Sequence, residues 1–292
     1  MKISLKQAIL NKYNLIAFLF VPIVSFFSWS LTNDFFLSIS LKTGPNGISL
    51  SEYLRIIYSF FSYAVWGFSF MQVLLPLLAS FIMLPYSREK RIYSFSYIRE
   101  KSYTKAILKP MLRQLLIGCT VLFLGYMVFL TAGLVWKINP EEVLAHSISG
   151  EISCMRVFMP EIFGEFFAAD NMFIFFVVDG FWKYFVFCFV YGLFSVCVSF
   201  YTKKDFLCLI VPTVYYLVFD ITFSGIGQID LGNGTVINLA IYAPSYPIMS
   251  GTRDWISIPQ VIYPLLPPLI FSLFTLVREF AVKKKRSDAY AV

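Results

Sequence analysis

Residues 85–113 read PYSREKRIYSFSYIREKSYTKAILKPMLR. Eight cations (Arg88, Lys90, Arg91, Arg99, Lys101, Lys105, Lys109 and Arg113) stand there against two acids, Glu89 and Glu100. On both sides lie apolar runs long enough to cross a bilayer. A loop that only reversed the chain between two spans would need a handful of residues. This one also carries Ile92, Tyr93, Phe95, Tyr97 and Ile98 among its charges. Positions 92, 95 and 98 recur three apart, which on a helix makes a slowly drifting apolar stripe. Such a helix at the mouth of a membrane bundle either lies in the headgroup layer or docks in a groove on a partner. Aromatic groups interleaved with charges of both signs favour docking.

The surrounding composition is that of an integral membrane protein. Hydrophobic residues make up 58% of the 292, aromatics 19% and charged residues only 14%, whereas a soluble domain is about a quarter charged. The apolar runs mark spans at about 15–31, 56–86, 114–136, 184–201, 205–224 and 258–277, five of them close to the roughly 20 residues a bilayer requires and the second longer, so that it tilts or protrudes. They fill residues 1–292 as a single transmembrane domain and leave no room for a sizeable soluble one. The expected class is an all-α integral membrane protein with six transmembrane helices.

Charge sets the orientation. With both termini on the inner, cytoplasmic side, the inner segments hold 18 of the 24 Lys and Arg but 5 of the 17 acids. That satisfies the positive-inside rule. The net charge of +7 therefore reflects orientation in lipid, not a nucleic-acid surface. Residues 1–14, with Lys2, Lys6 and Lys12, read as an N-terminal interfacial helix. Residues 137–183 form a long outer region with seven acids, where Asp179 and Lys183 stand four apart and neutralise one another at the outer edge. Residues 225–257, rich in Gly, Asn and Pro around the apolar piece VINLAIY, read as a re-entrant or surface-lying outer element before the sixth span.

Catalytic chemistry has little to work with. The single histidine, His146, lies in the outer loop, and four of the five cysteines sit in apolar runs without a CxxC. No metal site is expected. No GxxxxGK[ST] phosphate loop occurs, so nucleotide hydrolysis by that route falls to another chain. Gln72 is the one deep polar side chain in this reading, and no acid or base is placed in mid-span. An enzyme is not expected, and energy has to arrive from a partner.

At this point the chain resembles the permease subunit of a bacterial ABC exporter, of the six-helix ABC type-2 superfamily. The matching pieces are Leu75-Pro76-Leu77-Leu78 in the second span and Ser87-Arg88-Glu89-Lys90 after it. Glu89, the stretch Ile92 to Ile98, Arg99 and Lys109 are similar in order and spacing to the family's acid, short coupling helix, basic residue and lysine opening the third span. A glycine often found shortly after the acid is replaced here by Arg91 and Ile92.

The resemblance implies a location in the bacterial cytoplasmic membrane. It also implies a cytoplasmic coupling helix between spans two and three, in which Glu89, Arg91, Ile92, Tyr93, Phe95, Tyr97 and Arg99 grip a cytoplasmic ATP-binding subunit. ATP and Mg would sit on that subunit, with no cofactor on this chain. A second permease chain, identical or related, would complete the path, with Phe70, Met71, Gln72, Tyr215 and Tyr216 as lining candidates. Soft and aromatic side chains suit hydrophobic or amphipathic cargo, such as a peptide antibiotic or bacteriocin, a drug or a lipid-like molecule. The competing reading is a partner-free membrane immunity or scaffold protein that binds a peptide at its outer loops.

Overall fold

The structure is a computed structural model that describes residues 11–32, 35–42, 49, 51, 60–95, 103–134, 172–202, 204–230, 232, 236–248 and 262–289. The described chain is mostly helical, and six of its helical stretches are long and apolar enough to cross a bilayer. In chain order the helices are α1 (Lys12–Thr32), α2 (Phe35–Leu41), α3 (Phe60–Trp66), α4 (Ser69–Phe81), α5 (Leu84–Phe95) and α6 (Tyr103–Leu134). After them come α7 (Met172–Phe181), α8 (Cys188–Tyr201), α9 (Asp205–Ile226) and α10 (Leu266–Ala289). Helix α1 packs along α6, while α8 is enclosed by α4, α9 and α10.

The second expected span, 56–86, is interrupted. Helices α3 and α4 are separated by a turn at Gly67–Phe68. In an unbroken helix the Trp66 carbonyl would accept from the Phe70 amide, four residues on. Here the Ser28 hydroxyl of α1 stands between them, donating to the Trp66 carbonyl at 2.7 Å and accepting from the Phe70 N–H at 3.0 Å. A side chain inserted into the hydrogen-bond ladder is a recognised cause of a helix break. In a bilayer the inserted hydroxyl also spares two backbone groups an unsatisfied state. Gly67 is required at the turn because a Cβ there would fall 2.2 Å from Cζ of Phe129, on α6.

Two further spans are longer than the sequence reading gave. The third begins at Tyr103, not Gln114, so eleven residues taken as loop continue the helix. The fourth begins at Met172, not Tyr184. Its first helix, α7, passes through one π-helical segment (Trp182–Phe187) into α8. Residues 172–183, counted with the outer region by the sequence, thus belong to this helical stretch.

Between α9 and α10 the apolar VINLAIY is part strand and part 3-10 turn. Gln228–Asp230 and Val236–Asn238 pair as an antiparallel hairpin, in register Gln228 with Asn238, and 3-10 turns follow at Ala240–Tyr242 and Tyr246–Ile248. Gly227, at φ +62, closes α9 in a backbone region that other residues rarely adopt. The Ser245 N–H donates to Asp220 Oδ1 at 2.9 Å and ties the second turn back to α9. Residues 1–10 of the expected interfacial helix lie outside the described residues.

Removing the bridging hydroxyl tests its role. Ser28→Ala should cost about 1–3 kcal/mol, the usual penalty for orphaned buried polar groups. Ser30→Ala should cost less, since the Ser30 hydroxyl serves only the Phe27 carbonyl of its own helix. Thermal unfolding of the two variants in mild detergent checks the order, and equal losses would contradict it.

Candidate functional sites at the two ends of the bundle

At one end, α4 leads through a tight turn at Ile82–Met83 into α5. The Ile82 N–H bonds the Leu78 carbonyl, Met83 the Ser80 carbonyl and Ser87 the Met83 carbonyl, so the backbone ladder barely lapses. Pro85 falls in the first turn of α5, where its missing N–H is no loss. Leu84, Tyr86 and Ser87 are buried in the bundle, and Tyr86 Oη donates to the Ile107 carbonyl of α6 at 3.3 Å. The expected docking segment is therefore an outward continuation of the second span. Its helix includes Glu89, Arg91, Ile92, Tyr93 and Phe95; Tyr97 and Arg99 lie outside the described residues.

One side chain ties this helix to two others. Arg88 Nε lies 2.6 Å from Asp205 Oδ2 at the start of α9, and its guanidinium also reaches the hydroxyl of Tyr13 on α1. Asp205 stands in the first turn of α9, where the helix dipole favours a negative charge. Both partners are over a third exposed, so the pair adds no more than about 1 kcal/mol to stability. Geometry, not strength, gives it interest, because it joins the α5 lever to α9.

The residues proposed as a path divide between α4 and α9, which pack against each other. Phe70 is exposed, Gln72 and Tyr215 are half-buried, and Met71 and Tyr216 belong to the closed core. Tyr216 meets Tyr191 of α8 edge-on at 5.9 Å between ring centroids. Both hydroxyls are buried without a hydrogen-bond partner among the described residues. Such groups are uncommon, because each forfeits its hydration for nothing.

The other end holds a site that span assignment misplaced. Asp179 and Lys183 are each 3% exposed, and Lys183 Nζ lies 2.7 Å from Asp179 Oδ2. They lie inside the apolar stretch, at its fourth and eighth positions, and not ahead of it. Lys183 is seven residues inside the apolar stretch that begins at Phe176, or about 10 Å along the axis at 1.5 Å per residue. The same ammonium stands 4.1 Å from the centroid of the Phe68 ring, within cation–π range.

Aromatic side chains complete the surroundings. Tyr184 meets Phe68 edge-on at 5.9 Å and stacks on Tyr126 at 4.7 Å. Tyr63 stacks on Phe129 at 4.2 Å. Tyr126 Oη donates to the Phe176 carbonyl at 3.1 Å. Its ring lies so close to α7 that a Cβ on Gly180 would fall 1.9 Å from it. Three irregularities thus converge: the α3–α4 break presents Phe68, the π-helical segment carries Lys183, which lies over that ring, and a buried ion pair neutralises the lysine. π-Helical turns are frequent at functional sites, and charges within membrane helices mark them too.

Sequence spacing had shown the Asp179–Lys183 pair but not its depth. A later start for the span hid it, and the signal available was the apolar run FIFFVV just ahead of Asp179. Among the described residues no cluster of His, Cys, Asp or Glu could hold a metal. Cys119, Cys188, Cys197 and Cys208 are buried and unbridged, as packing residues should be.

These features define a six-helix bundle of membrane-spanning dimensions with a charged site at each end. Compared with protein-family models, curated proteins and solved structures, the chain finds no match.

The energetics of the buried pair are testable. Lys183→Met leaves a carboxylate in an apolar site without its ammonium and should cost about 3–5 kcal/mol, whereas Asp179→Leu/Lys183→Met together should be near neutral or stabilising. Unfolding midpoints in detergent measure both, and a double variant as weak as the single one would refute the pairing.

Proposed function

We propose that the chain is the transmembrane subunit of an ATP-driven exporter, with ATP hydrolysis on a separate cytoplasmic subunit. The carrying observation is the α4–α5 continuity, which makes the basic segment after the second span a rigid extension of that span. A force applied to Tyr93 or Phe95 would pass into α4 without a flexible joint, and through Arg88 and Asp205 into α9. Those are the two helices that carry the candidate path residues. The sequence supports the reading independently, since no phosphate loop occurs in it.

In this reading two permease chains, identical or related, enclose the path, and closure of the ATP-binding subunits shifts the population between inward- and outward-open arrangements. Phe70, Gln72 and Tyr215, the candidates not closed into the core, suit an amphipathic cargo, apolar over most of its area with a few polar groups. The positive-inside pattern places α5 on the cytoplasmic side, where such a partner resides.

Purification in mild detergent should bring down a soluble ATPase. Tyr93→Asp/Phe95→Asp should release it while the chain keeps its helical content; no associated ATPase, and no effect of the double change on function, would discard the transporter reading. A second test concerns transmission. Arg88→Asp should cut transport about tenfold or more with little change in unfolding midpoint, as expected for an exposed pair. Arg88→Asp/Asp205→Arg should restore much of the transport, and equal defects in both variants would remove the pair from the mechanism.

A further inference from the structure

We propose that Asp179, Phe68 and the flanking tyrosines form a binding site for the ammonium head of a cationic amphipath, now filled by the chain's own Lys183. A carboxylate oxygen 2.7 Å from an ammonium that lies 4.1 Å over an aromatic ring is the arrangement that recognises organic cations. Nothing in it is specific to a lysine of this chain. The apolar stem of Lys183 stands in for the alkyl portion of such a ligand.

Exchange has a structural route. Asp179 belongs to the regular helix α7, whereas Lys183 lies in the π-helical segment. Resolving a π turn into α-helix moves the residues beyond it by one position, or about 100° around the axis. Lys183 lies inside that segment, so its rearrangement shifts the lysine relative to Phe68 while Asp179 stays on α7, beside Gly180 where Tyr126 packs. A cation arriving with its own apolar tail would then neutralise the carboxylate. The open helix break at Phe68 is consistent with this use, since binding sites in membrane carriers form at interrupted helices. The inference rests on the transporter reading only in calling the ligand cargo; the site itself needs no second chain.

Equilibrium binding on the purified chain tests it. The probe is radiolabelled decylamine, a primary ammonium at neutral pH, added in dodecyl maltoside, whose uncharged micelles set the background. The intact chain should bind it saturably. Lys183→Met, which removes the internal competitor, should bind at least tenfold more tightly and gain thermal stability from the probe. Asp179→Leu/Lys183→Met, which the pairing energetics allow to fold, should lose saturable binding. Phe68→Leu keeps both charges and should weaken binding about tenfold. The proposal is overturned if the intact chain shows no saturable binding, if the double variant binds like the intact chain, or if Phe68→Leu changes nothing. Probe binding that follows this order in a chain that captures no ATPase would retain the site and reject the exporter. The reverse pattern would reject the site alone.

Discussion

Opposite charges set inside an apolar bundle have to neutralise one another, and much of one end of this molecule is arranged around that necessity. An isolated ion there would cost several kcal/mol even after relaxation. The contact between Asp179 and Lys183 removes that cost only because the helix brings the two side chains together and the neighbours exclude water. Phe68 covers the ammonium, and Tyr126 and Tyr184, stacked on each other, close in beside it. The glycines follow from the same demand. Gly67 and Gly180 stand where aromatic rings of α6 approach backbone too closely for any Cβ.

The helix break and the π-helical segment are consequences of this packing as well as its means. Phe68 reaches Lys183 because the chain turns at Gly67, and the turn survives in an apolar medium because Ser28 takes over both backbone groups it frees. Two polar side chains of the bundle serve its irregular points. Ser28 serves a broken ladder, and Gln114 Nε2 donates to the Ile82 carbonyl at the turn between α4 and α5. Each marks a place where a helix departs from regularity. The buried hydroxyls of Ser25, Ser87, Tyr184, Tyr191 and Tyr216 have no such role, since they serve nothing among the described residues.

Composition alone revealed the class, because apolar runs of about twenty residues have few other uses, and all six spans appear in the structure. Their ends were less legible. Charge was read as a boundary, so the third span was started after Arg113 and the fourth after Lys183, whereas Lys109 and Asp179 both lie within helices. A charge terminates a span only if it remains solvated, and pairing at i and i+4 removes that condition. The break at Gly67 was equally hidden, since its cause, Ser28, lies 39 residues earlier in the chain. The hairpin within the expected outer element has a comparable origin. Val236 and Ile237 are both β-branched and favour the strand, although their apolarity would suit either structure.

The two ion pairs differ in what it takes to rearrange them, and this gives the bundle a polarity. Arg88 and Asp205 are substantially exposed, and water replaces either partner at a cost of about 1 kcal/mol or less. Asp179 and Lys183 are sealed, and parting them without a substitute costs about 3–5 kcal/mol, or roughly two to four orders of magnitude in population at 1.4 kcal/mol per decade. The Arg88 end is thus the one free to move in response to ordinary mechanical or electrostatic bias. At the other end, rearrangement needs a replacement charge, an entry of water or protonation of the carboxylate. Helix α5 is attached at the pliable end, where Arg88 and Asp205 join it to α9 without involving the sealed pair. The same helix α4 begins immediately beside Phe68 and ends at the turn into α5, so it links the surroundings of the two pairs, as α6 does by packing on both α5 and the π-helical segment.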